Sequence, residues 1–120
     1  ALLVNHGHNV LVETGSGNSS NFQDHDYSEA GAQIAYSAEE VYKNADTIIK
    51  VAPPSLAEIE FMQPKQTLFS TLQLPAQPEN FLRKLIDKKV SAIAYEWIKD
   101  EDGVFPVIRA MGEIAGGTSI

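Results

Sequence analysis

Three polar side chains stand where apolar runs give out, and each has a type that could meet a ligand. Lys50 follows Ile48 and Ile49, Gln73 sits in Leu72-Gln73-Leu74-Pro75, and Glu96 follows Ile93-Ala94-Tyr95. A lone ammonium in a buried run costs several kcal/mol, so Lys50 must reach solvent, a carboxylate partner or a bound anion. One reading is a side chain that snorkels from a strand end. The other is a point charge facing a cleft and gripping a substrate carboxylate. The Gln73 amide could hydrogen-bond a ligand or satisfy a nearby backbone group. Glu96 could orient a cation in the cleft or pair with a lysine.

Other groupings carry less chemistry. Gly15-Ser16-Gly17 begins like a phosphate cradle, but Ser20 replaces the third glycine of a dinucleotide fingerprint. The next strand offers no acidic residue for a ribose hydroxyl, so a plain surface turn is the better reading. His6 and His8 are two residues apart with no third ligand nearby. Asp24-His25-Asp26 are adjacent and do not converge on one ion, and Asp100-Glu101-Asp102 reads as a solvated turn. There is no cysteine, hence no thiolate nucleophile, zinc-thiolate site or disulfide. That absence is compatible with a cytosolic location.

The elements that would position Lys50, Gln73 and Glu96 alternate along the chain. Probable strands fall at 9–13, 32–36, 47–51, 66–74 and 90–95. Helices are expected at the opening residues, around Tyr27 and Ala30, from Ser37 to about Ala45, over 56–62, over 79–89 and from Ile108 onward. Ser37 and Glu40 have capping-box spacing. Phe81, Leu82, Leu85 and Ile86 form the apolar side of the helix over 79–89. Short connections and near-continuous apolar strands predict an α/β fold with a doubly wound, mostly parallel sheet and helices on both faces. In such a sheet ligands sit beyond the carboxyl ends of the strands, where the three polar residues lie.

Composition agrees with one globular domain: 120 residues, 43% hydrophobic and 21% charged. The formal net charge of −7, with no run of Lys and Arg, argues against nucleic-acid and membrane-surface partners. No stretch approaches the roughly 20 apolar residues of a membrane helix. The chain opens inside an apolar run without Met and ends on Gly116-Gly117-Thr118-Ser119-Ile120, so a piece of a longer polypeptide is expected.

Several segments, in order, carry a resemblance. They are Gly7-His8-Asn9-Val10-Leu11-Val12-Glu13 with Gly15-x-Gly17; Tyr27-x-x-Ala30-Gly31-Ala32; and Ala45-Asp46-x-Ile48-Ile49-Lys50-Val51-x-x-Pro54. The last are Ile93-Ala94-Tyr95-Glu96 and Pro106-x-x-x-Ala110-Met111-x-Glu113-Ile114-Ala115-Gly116. Together they resemble the N-terminal domain of the alanine dehydrogenase and nicotinamide nucleotide transhydrogenase family, across nearly all of residues 1–120. The resemblance implies a Rossmann-like or flavodoxin-like substrate domain, incomplete at its start. It would line one side of a cleft while a separate NAD domain, absent from this chain, lies across it. It further implies oxidation of L-alanine to pyruvate and ammonia, in the cytoplasm, by a homo-oligomer whose contacts lie largely outside these residues.

On the same resemblance Lys50 takes the place of the lysine that contacts the substrate carboxylate, and Met111 and Glu113 lie near the cleft. Gln73 replaces the family's catalytic histidine, and Gly112 a usual serine. Glutamine can hold a carbonyl oxygen but cannot donate and recover a proton near neutral pH. Leu74-Pro75-Ala76-Gln77 looks more like the transhydrogenase version of its loop. Three readings therefore stay open: an NAD(P)-linked amino-acid dehydrogenase, a transhydrogenase α-subunit-like hydride-transfer domain, and a non-catalytic ligand-binding domain of the same fold.

Overall fold

The computed structural model describes residues 1–118, so the end of the expected cut C-terminus, Ser119-Ile120, lies outside the described residues. The chain is α/β. In order it runs α1 (Leu2–Asn5), β1 (Leu11–Glu13), α2 (Asp24–Glu29), β2 (Gln33–Ala35), α3 (Ala38–Asn44) and β3 (Thr47–Ile49). Then come α4 (Leu56–Glu60), β4 (Thr67–Ser70), α5 (Asn80–Asp87), β5 (Ser91–Ala94) and α6 (Pro106–Thr118).

Every strand pair is parallel, but the strands form two sheets rather than one. β1 pairs with β2, and β3, β4 and β5 form a separate sheet in that order. Among the described residues all five strands are shorter than the apolar runs suggest, three or four residues each.

The core lies under the three-stranded sheet. Ile48 and Leu68 point down from β3 and β4 onto Tyr42 of α3, Ile59 of α4 and Phe81 and Leu85 of α5, with Met62 and Leu72 completing the cluster. Helix α5 buries a narrower stripe than its pattern suggests. Phe81 and Leu85, one turn apart, are buried, while Leu82 and Ile86 stay 49% and 72% exposed. At about 100° per residue the second pair is rotated off the first and turns away from the core.

The opposite face of the sheet is partly covered, Phe69 at its centre being half-buried. Ile49, Phe69 and Ile93 are register partners across three strands, and Ile49 is 67% exposed.

Helix starts follow their signals. Ser37 Oγ accepts from the Glu40 N–H at 3.2 Å, while the Glu40 carboxylate reaches the Tyr36 N–H at 2.9 Å, one residue before the position a capping box would use. Ser55 and Glu58 close a full box at the start of α4. Gln66, buried at the foot of β4, accepts from the Gln63 N–H and donates to the carbonyls of Tyr42 and Ala45, which locks α3 onto the sheet.

Candidate functional site

Parallel alignment brings the carboxyl ends of β3, β4 and β5 to one edge, and the loops leaving them are joined by side chains from consecutive residues, Tyr95 and Glu96. The Tyr95 hydroxyl donates to the carbonyls of Lys50 and Val51 at 3.0 and 3.1 Å. Thr71 Oγ1 donates to the same Val51 carbonyl at 2.6 Å. The Glu96 carboxylate accepts from the Leu72 N–H at 3.0 and 3.2 Å and from the Gln73 N–H at 3.4 Å. One turn after β5 thus fixes the loop after its neighbour β4 and the loop after β3, one strand further on.

Gln73 occupies the left-handed region at φ 46° and ψ 46°, which is costly for a residue with a side chain. Its conformation is held from both sides. Its N–H points at Glu96, and its carbonyl accepts from Ala76 at 2.9 Å as Pro75 starts a 3-10 turn. Gln77 donates to the Leu72 carbonyl at 2.9 Å. The side chain of Gln73 is exposed and makes no hydrogen bond among the described residues. Its amide is therefore available at the strand-end edge.

Lys50 has a different fate from the one expected of a substrate anchor. Its Nζ lies 2.9 and 3.0 Å from the two oxygens of Glu58, with both side chains about one-quarter exposed. The charge that burial argues must be paired is paired inside the chain. Of the partners that a strand-end lysine can take, a carboxylate one turn into α4 is the one present here. Burial pushes the Glu58 carboxyl up, but the Ser55 N–H and Lys50 outweigh it and hold the group below its ordinary range. The buried Tyr42 hydroxyl is pushed well up, first by burial and then by the charges of Glu58 and Glu13. Burial likewise raises Tyr95, against a lowering bond from the Thr71 backbone, with the Glu96 charge adding to the rise.

The structure brings Lys50, Gln73 and Glu96 to one edge, Lys50 and Glu96 each with partners inside the chain. Both Glu96 oxygens face backbone amides rather than a cation. Met111 and Glu113 lie on α6, which packs beside the Tyr95–Trp97 turn. Met111 is 43% exposed, and the Glu113 carboxylate accepts from Arg109 at 3.0 Å on the same helix. Glu58 was not singled out by sequence, although Ser55-x-x-Glu58 is the spacing that announces it. Ser70, at the end of β4, has a buried hydroxyl with no partner among the described residues.

The Gly15-x-Gly17 loop does not fit a dinucleotide. Thr14 Oγ1 and the Gly15 N–H both donate to the Asp24 carboxylate, at 2.5 and 2.8 Å, so an acid of this chain takes the donors a phosphate would need. Those bonds hold Asp24 below its ordinary pKa. A Cβ on Gly17 would lie 2.4 Å from the Tyr27 hydroxyl and 2.7 Å from the Phe22 carbonyl, so packing explains the glycine. Among the described residues no group of three or more His, Asp or Glu is placed to hold a metal ion. No described helix is long and apolar enough to cross a membrane.

Comparison with known proteins places this geometry. Residues 1–115 match the family model described as "Alanine dehydrogenase/PNT, N-terminal domain". The alanine dehydrogenase of Methanococcus maripaludis is 41% identical over 114 residues, 95% of this chain and 30% of that protein. Alanine dehydrogenase 2 of Staphylococcus aureus is 42% identical over 117 residues, 98% of this chain and 31% of that protein. Among solved structures, an L-alanine dehydrogenase superposes with TM-score 0.88 at 36% identity, over 96% of this chain and 31% of that one. A transhydrogenase from Sinorhizobium meliloti superposes with TM-score 0.73 at 29% identity, over 81% of this chain and 28% of that one. The chain thus spans about 30% of the length of these relatives.

Proposed function

Since this chain belongs to the alanine dehydrogenase/PNT N-terminal-domain family, we propose that it forms the substrate-side wall of an NAD(P)-dependent amino-acid dehydrogenase. The substrate pair is a small 2-amino acid and its 2-oxo acid, L-alanine and pyruvate in the nearest reading. The observation that carries this is Gln73: a left-handed residue with an open amide, fastened at the carboxyl edge of a parallel sheet. Strain held in place by surrounding bonds marks a position kept for use.

In this reading the Gln73 amide orients the substrate's carbonyl or imine. Lys50 with Glu58, and Glu96 with the Leu72 and Gln73 amides, build the wall behind it. Met111 and Glu113 stand on the helix leading away from the cleft. The nicotinamide nucleotide, NAD or NADP, belongs to a part of the polypeptide beyond these residues, and the chain alone has no turnover. The full-length protein works in the cytoplasm as a homo-oligomer on small molecules, with neither nucleic acid nor membrane as partner.

The test is NADH or NADPH oxidation by the full-length parent with a panel of 2-oxo acids plus ammonium. Turnover is expected, and Gln73→Ala should lower kcat/KM by about 100-fold, the scale of one lost polar contact to a reacting oxygen. A parent inert toward every 2-oxo acid removes this reading.

A second reading is favoured by Leu74-Pro75-Ala76-Gln77 and by the likeness to a transhydrogenase. It is a hydride-transfer domain acting between nucleotides, and NADPH-dependent reduction of an NAD analogue by the parent would select it. Absence of both activities would leave a non-catalytic ligand-binding domain.

A further inference from the structure

We infer that Glu96 is a positioning residue for Gln73: it holds the left-handed backbone of the loop after β4 and does not itself touch the substrate. The inference rests on the reading of Gln73 given above and adds the means by which that side chain is aimed.

Glu96 is half-buried, and both carboxylate oxygens are engaged with the amides of two consecutive residues. Successive N–H groups converging on one anion require a curled backbone. The curl here is the left-handed residue, at φ 46°. The bonds are charge-assisted, at 3.0 and 3.2 Å to the Leu72 N–H and 3.4 Å to the Gln73 N–H, and together they oppose the steric cost of that conformation. The anchor of the carboxylate is itself fixed, because its neighbour Tyr95 is bonded to the loop after β3. Glu96 therefore reports the position of β3 and β5 to the residue between them. A carboxylate so occupied has its strongest lone pairs turned toward its own chain.

Two cycles of substitution in the full-length parent test this. The first reads stability. Glycine adopts the left-handed region without the cost that glutamine bears. Glu96→Gln should therefore lower Tm in the Gln73→Gly background by less than about half of what it does in the wild type. Equal shifts in the two backgrounds would show that Glu96 does not hold Gln73 and would overturn the inference.

The second cycle reads kinetics. Glu96→Gln should lower kcat/KM by about tenfold in the wild type and by less than about twofold in Gln73→Ala, because the lost aim has no side chain left to act on. Losses that multiply, with KM for the 2-oxo acid rising in both backgrounds, would make Glu96 a direct substrate contact and overturn the inference. A wild-type parent with no turnover shows itself before any substitution is made. It sinks the dehydrogenase reading and leaves the stability cycle to decide whether Glu96 holds Gln73. If Glu96→Gln fails to fold, hydrogen exchange in the wild type decides: the Leu72 and Gln73 amides should be protected, and exchange at the rate of an open loop overturns the inference.

Discussion

A lysine at the end of an apolar strand poses one physical question, which is where its charge goes. Here the answer is Glu58, at hydrogen-bond distance to both oxygens. Lys50→Met and Glu58→Gln should each destabilise by about 1–2 kcal/mol, the range between an exposed ion pair and a hydrogen bond to a charged group. Chemical denaturation of both single variants and the double variant measures the coupling. In the full-length enzyme Lys50→Met should leave KM for the 2-oxo acid within about threefold. A KM rise of about tenfold or more would restore Lys50 as the substrate anchor.

The same pair sets an acid limit. Glu58 titrates below its ordinary value of 4.5 in the fold, so its ionised form is the one the fold favours. Its stabilisation is complete above that value and is lost as pH falls through the lowered one. The Glu58→Gln variant should show a shallower loss of stability on acidification than the wild type, measured by urea midpoints at successive pH values. At neutral pH the Gln73 position contributes no titrating group. Gln73→His in an active parent should add a limb to the pH–rate profile near about pH 6–7.

At the scale of elements the sequence was most informative where a local rule acts alone. Ser37 caps α3, Gly7 and Gly31 turn the chain in the left-handed region, and α5 packs through Phe81 and Leu85. Apolar runs that give out at polar residues are why Lys50, Gln73 and Glu96 could be picked out together, although β3 and β4 end earlier than those runs, at Ile49 and Ser70. Their partners could not be, because a side chain 23 or 24 residues away in sequence leaves no periodic trace. Glu58 is the exception, since its capping box is written in Ser55-x-x-Glu58. Ser55→Ala should cost about 1 kcal/mol through that cap. It should also loosen Lys50, because Ser55 Oγ accepts from the Glu58 N–H at 3.1 Å and so helps to hold the residue whose carboxylate the lysine grips. Gly17→Ala should destabilise more than an exposed glycine change such as Gly112→Ala, because the added carbon would meet the Phe22 carbonyl, a backbone atom that cannot step aside cheaply. Thermal melts of the two variants make the comparison.

For the whole molecule, the parallel α/β class was readable from the alternation of elements, but the division into two sheets was not, because pairing partners are set by long-range packing. The ladder of Ile49, Phe69 and Ile93, exposed mainly at Ile49, is a second feature that pattern alone could not reveal. A strand buried on both faces and one left bare on a side share the same apolar run. The bonds that fasten the strand-end loops join residues 44 and 45 positions apart on one side and 23 and 24 on the other, all anchored at Tyr95 and Glu96. Contacts of such span close late, because the intervening chain must first surrender its freedom. The one tryptophan, Trp97, ends that turn. In a stopped-flow refolding experiment its emission should therefore reach the native value after the circular-dichroism signal of the helices has recovered.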